Sequence, residues 1–237
     1  VSLLNSSPLD RGPFPVRKPL LCYVTDRRSL PVAGQNDLIE PLLEEIKLVA
    51  AAGVDWIQIR EKDLSGKQFA ALTREALRRV SKPASTAESL TRILVNDRLD
   101  AAIAEQAGGV HLGENSLPAA EAKHLVRSSP IARAHEFLIG VSCHSLEAAQ
   151  SAASAGANYV FFGPVFATPS KSAYGAPQGL ERLAEVCDSI TIPVLAIGGI
   201  TLENAPVCFS AGASGIAAIR LFQDSGDPAS IVSALRH

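Results

Sequence analysis

Apolar positions along the chain fall into short runs separated by stretches of helical period. Four places share one pattern, an alanine-rich helix end, a glycine and then a strand: AAAGVDWIQI, EQAGGVHLG, SAGANYVFFG and SAGASGIAAI. The glycines Gly53, Gly108, Gly156 and Gly212 are expected to stop the helices in the left-handed conformation. Between these units lie RILVND (92–97), FLIGVSC (137–143) and PVLAIGG (193–199), and LCYVTD (21–26) precedes them, which makes eight strands. In WIQIREKD (56–63) alternation puts Gln58, Arg60 and Lys62 on one side and Ile57 and Ile59 on the other.

The intervening segments read as helices. NDLIEPLLEEIKLVAAAG is amphipathic and ends at a glycine, and SGKQFAALTREALRRVSK and SLEAAQSAASAG each follow a serine suited to N-capping. LPAAEAKHLVRS, GLERLAEVCDSI, TLENAPVCFSAG and DPASIVSALRH complete the series. Strict alternation of strand and helix implies a parallel sheet, and short apolar strands fit a sheet covered on both faces. The fold class expected is α/β, a (β/α)8 TIM barrel. A single domain would span 19–237, preceded by an arm over 1–18, where VSLLNSSPLDRGPFPVRK carries three prolines and little periodicity. A doubly wound open sheet is the alternative; no G-x-G-x-x-G opens a helix to support its dinucleotide-binding version.

Composition narrows the function. With 237 residues, 47% hydrophobic and 19% charged, the chain can bury a sizeable core. A net charge of -2 gives no support for broad nucleic-acid or membrane binding, and no apolar run reaches the ~18 residues of a membrane span. Cys22, Cys143, Cys187 and Cys208 form no C-x-x-C pair and sit in apolar contexts, as packed, reduced thiols of a cytoplasmic protein do.

In such a barrel the C-terminal strand ends carry the chemistry. Those ends supply Thr25 and Asp26; Gln58, Arg60 and Lys62; Asn96 and Asp97; His111 with Glu114, Asn115 and Ser116; Ser142 and His144; Thr168, Ser170 and Lys171 in GPVFATPSK; Gly198 and Gly199; and Arg220 on strand 8. Arg60, Lys62 and Lys171 around one mouth favour a multiply charged anion such as pyrophosphate or a phosphate ester. Asp97 is an acid suited to a magnesium ion bridging that anion, and glycines after strands 7 and 8 are expected to suit backbone N–H contacts to a phosphate. Plainer readings stand beside these. Arg60 and Lys62 could pair with Glu61 or Asp63, and His111 could be a hydrogen-bonded core residue. His144, at a strand end, is the better acid–base candidate, and His124 and His135 read as surface residues. No His/Cys/carboxylate cluster has transition-metal spacing, and no G-x-S-x-G or Cys/His pairing suggests a hydrolase.

The stretches YVTD, QIREK, NDRLDAA, GVHLG, GVSCHSLEAA, YVFFGPVFATPSK, VLAIGGI with the following ENA, and GASGIAA run in order from about residue 21 to 222. Together they resemble thiamine phosphate synthase and its relative, the thiazole tautomerase. The resemblance implies coupling of hydroxymethylpyrimidine pyrophosphate to a thiazole phosphate by a dissociative route, in which pyrophosphate leaves and the thiazole nitrogen captures a pyrimidine-methyl cation. It implies Mg2+ as cofactor, small-molecule substrates as partners and a homo-oligomer. By position, Gln58, Arg60, Lys62, Asn96 and Lys171 would contact the pyrimidine pyrophosphate, Asp97 would bind magnesium and Ser142 would lie near the pyrimidine. Thr168, Ser170, Gly199 and Ile219, with neighbouring Gly198 and Arg220, would hold the thiazole phosphate.

Three positions depart from the pattern. Ser116 stands where a second magnesium-binding Asp is expected, T-P-S-K replaces T-x-T-K, and Arg220 replaces a serine. Retention of QIREK, ND and Lys171 points to the synthase. Ser116 taken at face value points to the tautomerase, which needs no pyrophosphate and would move a proton with His144. A non-catalytic relative that binds a phosphate ligand is the third reading.

Overall fold

The structure is a computed structural model, and it describes residues 18–31, 37–80, 91–130, 136–168 and 176–236. Strands β1 (Leu20–Val24), β2 (Trp56–Ile59), β3 (Arg92–Asn96), β4 (Gly109–Leu112), β5 (Leu138–Cys143), β6 (Tyr159–Phe162), β7 (Val194–Ile197) and β8 (Gly215–Ala218) pair in sequence order. Every pairing is parallel, and β8 closes on β1 through Leu20↔Gly215 and Cys22↔Ala217. Helices α1 (Ile39–Ala51), α2 (Gly66–Val80), α3 (Leu99–Ala104), α4 (Ala119–Ser128), α5 (Leu146–Ser154), α6 (Gly179–Ser189), α7 (Ala205–Ser210), α8 (Arg220–Gln223) and α9 (Pro228–Arg236) surround it. The open-sheet alternative is thereby excluded. The arm over 1–18 falls, apart from Lys18, outside the described residues.

Period-two alternation sorts the strands into two cores. Cys22, Val24, Leu94, Tyr159, Phe161, Leu195 and Ala217 pack together within the barrel. Leu21, Tyr23, Ile57, Ile59, Val95, Leu112, Phe162 and Ile216 pack outward against the helices. The helices meet them with one face each: α2 buries Phe69, Leu72, Thr73 and Ala76, a stripe of spacing three and four. Burial of each large apolar side chain there stabilises by about 1.5–3 kcal/mol. The serines cap as expected. Ser65 Oγ accepts from Gln68 N while Gln68 Oε1 accepts from Ser65 N at 3.1 Å, a reciprocal capping box at α2. Ser145 Oγ accepts from Ala148 N at α5.

One helix stop differs from expectation. Gly53, Gly156 and Gly212 are left-handed, at φ 90°, 86° and 94°, but Gly108 is not; Gln106 takes that conformation instead, at φ 54°. The cause is register. Each left-handed residue stands three positions before its strand, and three before Gly109 is Gln106. Gly108 serves close approach, since a Cβ there would lie 2.2 Å from Arg92 Cγ. The four cysteines are free, with Cys22, Cys143 and Cys208 buried and Cys187 half-buried. Burial pushes the Cys143 thiol up to about 12, so it is protonated at neutral pH. Among the described residues, no helix is long and apolar enough to cross a membrane.

Candidate active site

Each parallel strand delivers its last inward residue to the same rim, so side chains distant in sequence meet there. Gln58 (β2) is buried, and its Nε2 donates to Asn96 Oδ1 at 2.8 Å. Asn96 Nδ2 donates to Asp97 Oδ2 at 2.8 Å. Asp97 Oδ1 accepts from Gly113 N at 3.0 Å and from Ser116 Oγ, which joins the loop after β4 to the end of β3. Asp97 is left-handed at φ 59°, a conformation Asp adopts more readily than most residues. Burial works to raise its carboxyl, but the bonds from Ser116, Gly113 and Asn96, with the charge of Lys62, outweigh it and hold the group below the ordinary carboxylate value.

Charge is sorted at the end of β2. The strand stops at Ile59, earlier than the alternation through Lys62 implied, because the chain turns at Lys62–Asp63. Glu61 is buried, accepting from Thr25 Oγ1 at 2.7 Å and from Arg27 Nη1 at 2.8 Å. Asp63 accepts from Arg27 Nη1 at 2.6 Å and from Arg28 Nη2 at 2.7 Å. The acids of REKD are thus held by Arg27 and Arg28, and among the described residues neither Arg60 nor Lys62 forms an ion pair. That disposes of the surface-pair alternative. Thr25, fully buried, also accepts from Arg60 N at 2.9 Å and so fixes where Arg60 leaves the strand. Arg27 was not singled out from sequence, where Thr25 stands only as a strand-end residue and Glu61 only as a possible partner of the cations; the alternation of signs in REKD was the available clue.

Across the barrel His111 is buried, with Nδ1 against Tyr159 Oη at 3.1 Å and Nε2 against Ser142 Oγ at 2.9 Å. Its ring lies 4.1 Å from that of Phe161. His111 is therefore a hydrogen-bonded core residue that orients Ser142. His144 lies at the end of β5, with Nδ1 donating to Gly163 O. His124 is exposed on α4; His135 falls outside the described residues.

Residues 29–222 match the sequence profile described as thiamine monophosphate synthase. The chain belongs to the thiamine monophosphate synthase family. A relative from Geobacter sulfurreducens is 42% identical over 215 residues, covering 91% of this chain and 92% of its own. The thiamine-phosphate synthase of Roseiflexus sp. is 36% identical over 232 residues, covering 98% and 90%. Among solved structures, the thiamine phosphate pyrophosphorylase from Pyrococcus furiosus superposes with a TM-score of 0.74 at 30% identity, covering 92% of this chain and 94% of that one.

The remaining family positions lie on the β6–β8 side. Gly198 and Gly199 have φ of 94° and 68°. A Cβ on Gly198 would meet Pro164 Cβ at 2.6 Å, and one on Gly199 would meet Ala167 O at 2.7 Å, so the loop after β6 lies directly on this turn. Phe166 N donates to Gly198 O at 3.0 Å, and Asn204 Nδ2 to Gly199 O at 2.8 Å. Thr168 is half-buried in that loop, while Ser170 and Lys171 fall outside the described residues. Strand β8 ends at Ala218, so Arg220 is not on it. Arg220 opens the short helix α8, exposed, with Ile219 as the cap residue; four residues are too few to show a helical period. A separate cavity of about 240 Å³ opens at the opposite end of the barrel beside Arg92, Gln106 and Phe137. Arg92 there donates to Glu136 O at 3.0 Å, and that end of the fold reads as stability rather than chemistry.

Proposed function

We propose that this chain is a thiamine-phosphate synthase, joining hydroxymethylpyrimidine pyrophosphate to a thiazole phosphate and releasing pyrophosphate. The observation that carries the reading is the sorting of charge after β2, which among the described residues leaves Arg60 and Lys62 without a salt bridge to Glu61 or Asp63, beside the Gln58–Asn96–Asp97 chain whose carboxylate already feels the charge of Lys62. The bond between the methylene carbon and the pyrophosphate oxygen breaks with its electron pair leaving on pyrophosphate. The lone pair of the thiazole nitrogen then forms the new C–N bond. No net proton transfer is required, so catalysis rests on stabilising the charge that develops on the leaving group.

In this reading Arg60, Lys62 and Lys171 neutralise the pyrophosphate, while Gln58 and Asn96 present oriented amides to it. Ser142, fixed by His111, faces the pyrimidine, and His144 lies beside it. Thr168, Ser170, Gly198, Gly199, Ile219 and Arg220 receive the thiazole phosphate. The Asp97 carboxylate offers hard oxygens, which suit Mg2+. Among the described residues no group of three or more His, Cys, Asp or Glu could hold a metal without a ligand's help. A magnesium ion often takes one or two carboxylates and completes its shell with water and phosphate oxygens, so Asp97 fits such an ion, with Ser116 as a neutral neighbour. Bound there, it would supply further positive charge to the pyrophosphate oxygens. The catalytic unit is residues 19–237 with 1–18 as an arm, acting on small molecules as a cytoplasmic homo-oligomer. Free thiols are consistent with that setting.

Pyrophosphate release in the presence of both substrates tests the assignment. Arg60→Ala and Lys62→Ala should each lower the rate about 100-fold or more while leaving the circular dichroism spectrum unchanged. Rates within twofold of the parent would reject the pyrophosphate role of these cations.

A further inference from the structure

Glu61 is a buried carboxylate with no part in the chemistry above, and it lies between two cations that have one. Arg60, Glu61, Lys62 and Asp63 are consecutive, so each acid has a cation beside it in the chain, yet both acids are bound by Arg27 instead. Its guanidinium holds Glu61 at 2.8 Å and Asp63 at 2.6 Å, and its backbone N–H donates to both oxygens of Glu61. Thr25 Oγ1 donates to Glu61 Oε1 while accepting from Arg60 N, tying the acid and the backbone of Arg60 to one hydroxyl. The Arg27 side chain is only 13% exposed, so its bridge to buried Glu61 is shielded from solvent in a way a surface pair is not, while Asp63 stays at the surface.

We infer that Arg27 is a positioning residue: it sequesters Glu61 and Asp63 so that Arg60 and Lys62 remain free to bind a pyrophosphate group. Without the Arg27 guanidinium Glu61 keeps only the Thr25 hydroxyl and a backbone N–H, with no cation to balance its charge, and Asp63 keeps only the exposed Arg28; the cations beside them are the nearest further partners. The anion site would then be occupied by the protein's own carboxylates. Arg28 cannot substitute, because it reaches only Asp63 and its side chain is 70% exposed. The inference rests on the reading of Arg60 and Lys62 as pyrophosphate ligands.

The test is calorimetric titration of the full chain with inorganic pyrophosphate in magnesium-containing buffer. Arg27→Gln should weaken binding at least tenfold, about one power of ten in Kd. Adding Glu61→Gln to that variant should return the affinity to within threefold of the parent, because the competing acid is gone; a merely structural role for Arg27 would not be repaired by a second substitution. Arg27→Lys keeps the charge but cannot span both acids. It should show a smaller loss, recovered by Asp63→Asn at the surface, and this pair serves if Arg27→Gln does not fold. Parent-like binding by folded Arg27 variants, or a loss that removal of the acids does not repair, overturns the inference alone. No pyrophosphate binding by the parent overturns the functional reading and the inference with it.

Discussion

Ser116 Oγ donates to Asp97 Oδ1, so the loop after β4 brings a neutral hydroxyl to the carboxylate that follows β3. Gly113 N bonds both groups, at 3.0 and 2.9 Å, which fixes the pair in register. Ser116→Asp would place a second carboxylate at this point. The half-saturating magnesium concentration, measured calorimetrically with pyrophosphate present, should fall about fivefold or more, since carboxylates are far better ligands for this ion than hydroxyls. Without metal the two like charges should lower Tm. An unchanged magnesium requirement would show that the ion does not bind beside Asp97.

The same bond gives a pH signature. Asp97 has a folded-state pKa below its ordinary value of 3.8. A depressed carboxylate contributes stability that is present above the ordinary value and lost as pH falls through the folded one. Ser116→Ala removes one of the donors and should move the Asp97 pKa upward, observable in the carboxyl carbon shift by NMR. The variant should be less stable than the parent at neutral pH, and the gap should close as pH drops below the ordinary value. A gap independent of pH would assign the loss to packing instead.

Gln106 sits at φ 54°, where the three equivalent units carry glycine. The left-handed conformation costs an L-residue about 1–2 kcal/mol, offset in part by the greater freedom of glycine in the unfolded chain. Gln106→Gly should therefore stabilise by about 0.5–1 kcal/mol in a denaturant titration. Gly108→Ala should destabilise despite the ordinary φ of Gly108, because its Cβ would collide with Arg92.

Gly140 makes room for Tyr159, whose Cζ would lie 2.0 Å from a Cβ at that position. Tyr159 holds His111, and His111 holds Ser142. Gly140→Ala should cost about 1–3 kcal/mol through overpacking and should lower coupling activity beyond the loss of folded protein, because Ser142 loses its fixed partner. Retention of full activity per folded molecule would separate Ser142 from the reaction.

The barrel was legible because its signals are local. Each strand is a short apolar run, the longer helices show a 3.6-residue stripe, and the serines before α2 and α5 cap as their spacing indicates. The rim was legible for a related reason: a parallel barrel gathers strand ends, so Gln58, Asn96 and Asp97 could be grouped without knowing a distance. What the chain did not disclose depends on pairing across elements. REKD looks self-neutralising, and only the contact between Arg27 after β1 and the acids after β2 shows that it is not. Gln106 was missed because the adjacent glycines at 108 and 109 are there for close packing, and a glycine chosen for space looks the same in sequence as one chosen for φ. The short helix at Arg220 carries too few residues for a period.

The most direct test of the account is a coupling assay with purified protein, hydroxymethylpyrimidine pyrophosphate and thiazole phosphate, following thiamine phosphate with and without magnesium. Thiamine phosphate should form only with both substrates and magnesium, with pyrophosphate released in equal amount. Folded protein that binds both substrates yet forms no thiamine phosphate at any magnesium concentration would contradict it.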